Sequence, residues 1–140
     1  MDKALSLLAL ARKGGIAELG EEPVGGAARA GKAYAILVAK DASDHTWRRA
    51  KSFAAGTEQQ CVRLPWTKDE LGMAIGRDTL AIAAITDVQM ALALVSALPQ
   101  EESNKPALEV LTARAAKARQ RQQEAKAHQR NLRRGKKHMK

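Results

Sequence analysis

Residues 33–39, AYAILVA, and residues 79–86, TLAIAAIT, are unbroken apolar runs of strand length. A strand that is apolar at every position has no face to give to water, so each run predicts a strand covered on both sides. Helical patterns flank both. Residues 3–13 (KALSLLALARK) carry leucines at 5, 7, 8 and 10 and stop at Gly14-Gly15, where glycine can take the left-handed turn that ends helices. A very short strand is expected at 16–19. Gly20-Glu21-Glu22-Pro23 opens a second helix, with Pro23 in the first turn where a missing N–H costs nothing, and Gly31 closes it. Asp41 to Asp44 offer caps for a helix over 44–55, and QQCVRL at 59–64 reads as a strand. Thr67-Lys-Asp-Glu70 is a capping box for a short helix that Gly76 ends, and Asp87 caps a fifth helix through Leu98. The alternation predicts an α/β fold. It is a three-layer α-β-α sandwich with a mixed four-stranded sheet, 33–39 and 79–86 at its centre, and a basic, helical or disordered C-terminal tail.

Charge divides the 140 residues unevenly. Residues 1–98 hold 12 Lys+Arg and 11 Asp+Glu, whereas residues 99–140 hold 12 Lys+Arg and 4 Asp+Glu. The division expected is a folded domain at 1–98 and a basic linker and tail at 99–140. Residues 107–131 are rich in helix formers, but past Leu111 no apolar stripe is evident. The first 98 residues are therefore expected to fold without the tail. Positive charge concentrated in one segment is the footprint of a polyanion binder.

Other classes find little support. The single cysteine, Cys61, excludes an intrachain disulfide framework and a Cys-rich zinc site, and reads as a buried structural thiol. The apolar run ALSLLALA at 4–11 is short for a signal peptide and follows Asp2, and no stretch approaches the ~20 apolar residues of a membrane span. The expectation is a cytoplasmic protein with no membrane partner. Asp41, Asp44 and His45 read as a loop and helix cap rather than a metal or acid–base site. Gly72 and Gly76, spaced as in packed membrane helices, read as a short soluble helix with a glycine cap. Gly25-Gly26 costs a helix about 1 kcal/mol per glycine relative to alanine, and reads as loosening the start of the second helix, as permitting a close approach, or as tolerated drift. No catalytic residue, metal, cofactor or small-molecule substrate is expected.

The segments LLALARKGG (7–15), GEEPV (20–24), AGKAYAILVAKDAS (30–43), TKDELGMAIG (67–76) and AIAAITD (81–87) occur in an order and spacing that resemble the kink-turn-binding ribosomal protein superfamily. Its members include the archaeal large-subunit "seven-Ae" and eukaryotic "thirty-e" proteins, and the bacterial YlxQ type of RNA-binding protein is the branch this chain looks most like. The resemblance implies a mixed four-stranded sheet between helices and non-catalytic binding of a kinked RNA, with the ribosome or another structured RNA as partner.

The family grips RNA with the N-terminus of its second helix and with the loop before its last strand. The first element maps onto Gly20, Glu21 and Glu22. Here the family's Asn, Glu and Lys positions are Glu22, Pro23 and Gly26. Two glutamates at a helix N-terminus offset the dipole that would attract phosphate, yet could accept hydrogen bonds from base amino groups. The second element maps onto Gly76, Arg77, Asp78 and Thr79. Lys13, Lys32 and Lys40 are further basic residues in matched segments, although exposed lysines are also ordinary surface. The tail lies outside the resemblance, and its Arg130, Arg133, Arg134, Lys136 and Lys137 are candidates for sequence-independent phosphate contacts. The rival expectation is a protein-interaction module whose kink-turn-reading surface has been lost.

Overall fold

Strands 35–38 and 82–85 form the middle of the sheet, as the two apolar runs require. The computed structural model describes residues 2–99 and 101–138, and the side chains of 135–138 lie outside that description. The elements in order are α1 (Lys3–Lys13), β1 (Ala17–Leu19), α2 (Glu21–Arg29), β2 (Ala35–Val38), α3 (Asp44–Ala54), β3 (Gln60–Arg63), α4 (Lys68–Ile75), β4 (Ile82–Ile85), α5 (Val88–Ser96), a 3-10 turn (Glu102–Asn104) and α6 (Lys105–His138). The sheet order is β1-β4-β2-β3, with β4 antiparallel to both neighbours and β2 parallel to β3.

The two-residue period of a strand divides the apolar side chains between two cores. Ile36, Val38, Ile82 and Ala84 pack against Val24 and Ala28 of α2 and Ala50 of α3. Ala35, Leu37, Ala83 and Ile85 pack against Leu8 of α1, Leu71 of α4, and Leu94 and Val95 of α5. This is the three-layer sandwich expected, with helices on both faces.

The caps act where the sequence places them. Ser43 Oγ accepts from Thr46 N at 3.1 Å, and Asp87 Oδ2 accepts from Met90 N at 2.8 Å. Thr67 and Glu70 close the reciprocal capping box. Asp41 has a longer reach: its Oδ1 accepts from Lys68 N at 2.8 Å and ties the β2–α3 loop to α4.

Two features differ from expectation. The run 79–86 is a strand only from Ile82, because the segment after Gly76 folds back along α4 and Leu80 N donates to Lys68 O at 3.0 Å. The other concerns α6, which is docked over its first three turns. Ala107, Leu111 and Ala115, spaced four apart on one helical face, are buried, and Leu111 is 0% exposed within the α5-side core. Gln89 Nε2 donates to Ala115 O at 3.0 Å, and Arg114 lies over the Tyr34 ring at 4.6 Å. Two alanines and one leucine make a thin stripe, which is why it is easily overlooked among the polar residues around it.

Candidate nucleic-acid interface

The backbone brings several connections to one end of the sheet. Gly20 N donates to Ile82 O at 3.0 Å, so the start of α2 sits beside the start of β4. Ala39 N donates to Ala81 O at 2.9 Å, Leu64 N to Val38 O at 2.8 Å and Lys40 N to Trp66 O at 2.9 Å. Gly20 to Glu22, Lys40 and the Ala81 end of the α4–β4 loop therefore meet at this end, called here the site end, and Gly76 and Arg77 lie further back, at the far end of α4. Lys13 ends α1 shortly before β1 begins, and Lys32 shortly precedes β2. Both stand at the opposite end of the sheet, apart from Gly20 to Glu22 and Lys40.

The start of α2 is built by Gly20, whose φ of 96° is open to glycine and rarely to other residues. No side chain caps this helix. Val24 N already bonds Gly20 O, and Pro23 has no N–H, so the free donors of the first turn are those of Glu21 and Glu22. Glu21 is occupied on the protein side: its Oε1 lies 3.1 Å from Arg49 Nε and 3.8 Å from His45 Nε2. Glu22 is exposed. The two glycines that follow have different reasons. A Cβ on Gly25 would come within 3.2 Å of Phe53 and of the Arg29 guanidinium, so Gly25 lets α2 lie close on α3. A Cβ on Gly26 would meet nothing within 4 Å.

The α4–β4 loop is held rigidly. Gly76 takes the left-handed φ of 75° and ends α4. Arg12 of α1 donates from its guanidinium to Ile75 O at 2.6 Å. A Cβ on Gly72 would lie 2.7 Å from the Thr79 backbone and 2.8 Å from Arg77 O, so only glycine lets the loop fold onto the helix. Arg77, Asp78 and Thr79 are exposed on this fixed loop.

Sequence reasoning missed some neighbours of the site. Gly72 and Arg12 position the loop, and only the spacing of Gly72 to Gly76 hinted at the first. Arg63 ends β3 at the site end and stacks on Trp47 at 4.7 Å, with Lys51 over the same ring at 5.3 Å. The scarcity of aromatics hid this pair. A shallow groove of about 390 Å³ at the same end is lined by Lys40, Arg63, Pro65, Pro99, Glu101 and Asn104. Lys40 and Arg63 share this part of the surface with the exposed Glu22, Asp41 and Glu101, and Arg77 has the exposed Asp78 beside it, so the surface is mixed in charge rather than a basic patch.

In the remaining candidate positions, no group of three or more metal-ligating side chains occurs among the described residues. Asp41 and Ser43 cap helices, and His45 faces Glu21. Cys61 is partly buried, and burial pushes its thiol up to about 11 despite Lys51 and Arg63 nearby. No described helix is long and apolar enough to cross a membrane. On α6, Arg130, Arg133 and Arg134 are exposed, whereas the Lys136 and Lys137 side chains lie outside the described ones.

Solved structures share this architecture. A protein of unknown function from Bacillus halodurans C aligns over 69% of this chain and 97% of its own, with 25% identity and a TM-score of 0.65. A 15.5kD RNA-binding protein from Giardia lamblia aligns over 80% of this chain and 84% of its own, with 16% identity and a TM-score of 0.53. These are likenesses of fold. No protein-family model and no curated protein sequence matches the chain.

Proposed function

We propose that the chain is a non-catalytic RNA-binding protein that reads a structured, kinked RNA at the site end, as a YlxQ-type relative of the kink-turn-binding ribosomal proteins. The observation that carries this reading is the Gly20–Ile82 hydrogen bond, which sets the α2 start beside the start of β4, into which the loop carrying Arg77 runs. The neighbouring fold of an RNA-binding protein supports it. The Glu21 and Glu22 N–H groups face a phosphate or base edge, and the Glu22 carboxylate accepts from base amino groups. Arg77 contacts phosphate from a loop that cannot move far, so its contact depends on RNA shape. The ribosome, in the cytoplasm, is the natural location of such an RNA. The unit that folds extends beyond Pro99, through the docked turns of α6.

The test compares Glu22→Ala and Arg77→Ala with the parent chain on a kink-turn RNA and on bulk RNA. Each substitution is expected to weaken the first and spare the second. A Glu22→Ala chain that binds every RNA better would reduce Glu22 to a repelling charge and favour the second reading, a protein-interaction module. The occupied Glu21 and the missing lysine at Gly26 are the observations on that side.

A further inference from the structure

α6 begins at the site end, next to the groove formed with Lys40 and Arg63. It then runs along α5 to the opposite end, where Arg114 reaches Tyr34 and Glu58 and Arg119 lies 3.4 Å from Gln89 Oε1. From Arg119 to Arg134 every side chain is exposed, and the helix continues to His138. At 1.5 Å per residue, about 28 Å of helix projects past Arg119, away from the site end.

Most of the positive charge of the projecting segment lies on one side, with Arg121 on the opposite face. On a period of 3.6 residues, Arg119, Lys126, Arg130 and Arg133 fall within a sector of about 60°, and Arg134 lies beside it. Glu124 is off this stripe and bonded to Gln120 at 3.2 Å. Cations at these spacings repel one another along a helix that has no core beneath it, so an anionic partner on the stripe relieves a real cost. Measured along the α6 axis from Lys105, the stripe spans from about 21 to about 44 Å from the site end. That separation is well over the Debye length of about 8 Å at physiological salt, so the two regions act as independent sites.

We propose that the chain bridges two RNA segments, holding a structured RNA at the site end and a second, double-helical RNA along the basic stripe of α6. This rests on the RNA-binding reading above and goes beyond it, because the stripe begins about 21 Å from the site end, out of reach of the contacts that would hold an RNA there. A row of guanidinium and ammonium groups on a straight helix matches the phosphates lining a duplex groove, without reading its sequence.

The test uses the full chain, a short-armed kink-turn hairpin on beads and a fluorescent RNA duplex in solution. The full chain should retain the duplex on the beads, with one chain per ternary complex by sedimentation. The variant Lys126→Gln/Arg130→Gln/Arg133→Gln/Arg134→Gln keeps good helix formers on an exposed surface. It should lose at least tenfold in retained duplex while hairpin affinity changes by threefold or less. Displacement of the hairpin by the duplex would overturn the proposal by showing one shared surface, and so would a ternary complex indifferent to the four substitutions. A chain that binds duplex but not hairpin, measured separately, would overturn the site-end reading and bridging together.

Discussion

Cutting the chain at Pro99 should destabilise the globule, and cutting it after Arg119 should not. The first cut removes Ala107, Leu111 and Ala115, all buried, and uncovers Val95 of α5 and Leu98 just after it. Leu111 is 0% exposed, and truncating such a leucine to alanine costs about 2–5 kcal/mol from lost transfer energy and the cavity left behind. Removing the whole docked segment costs at least as much as Leu111→Ala. Against a total of roughly 5–15 kcal/mol for a domain, this is a large share. A loss of about 3 kcal/mol lowers the melting midpoint by roughly 10 °C at this size. The assay is thermal and urea unfolding followed by circular dichroism, for the full chain, chains ending at Pro99 and Arg119, and Leu111→Ala. The chain ending at Arg119 should melt with the full chain, and Leu111→Ala should fall well below it. A chain ending at Pro99 that melts within about 2 °C of the full chain would refute the reasoning, since Leu111 burial would then contribute nothing.

Further outcomes follow from single contacts. Gly72→Ala should destabilise by about 1–3 kcal/mol, because its methyl meets the backbone of the 77–79 loop, and should weaken RNA binding by displacing Arg77; unchanged stability by urea unfolding would contradict the close approach. Gly26→Lys enters open space, so it should stabilise by about 0.5–1 kcal/mol. If its ammonium finds a phosphate, it should also steepen the salt dependence of RNA affinity by about 0.7–0.9 in a log–log plot, while an unaltered slope would place α2 away from the RNA. Cys61, held protonated by burial with its thiol at about 11, should react with a soluble disulfide reagent at pH 8 roughly tenfold or more slowly than an exposed thiol. The same upward shift makes ionisation of Cys61 destabilising as pH rises from about 9 towards 11, because the unfolded thiol gives up its proton first.

The fold was legible because its signals are local. The all-apolar runs named the central strands, and Thr67 with Glu70, Ser43 and Asp87 named helix starts, since a cap acts within three residues of itself. What stayed hidden depends on contacts distant in sequence. Arg12 reaches Ile75, and Gly72 is obligatory only because Thr79 returns to it. Residues 79–81 look like strand in composition but serve as the return loop. The docking of α6 was obscured because alanine at 107 and 115 is also what a free helix would carry. Of the candidate site, Gly20, Glu22, Lys40 and Arg77 could be named from the sequence. That Lys13 and Lys32 stand at the other end of the sheet follows from strand direction, which composition does not encode.

The most direct test of the site-end reading compares full-chain affinity for a kink-turn hairpin with affinity for the same hairpin after its bulge is paired into a straight duplex. Pairing the bulge adds phosphates and a longer duplex for α6, which can only favour the straight form, so a preference for the kinked form isolates recognition of shape. At physiological salt the kinked form should bind at least tenfold more tightly, and Arg77→Ala should remove most of that preference. Equal affinity for the two forms would contradict the account and leave the chain a phosphate binder whose globule reads no RNA shape.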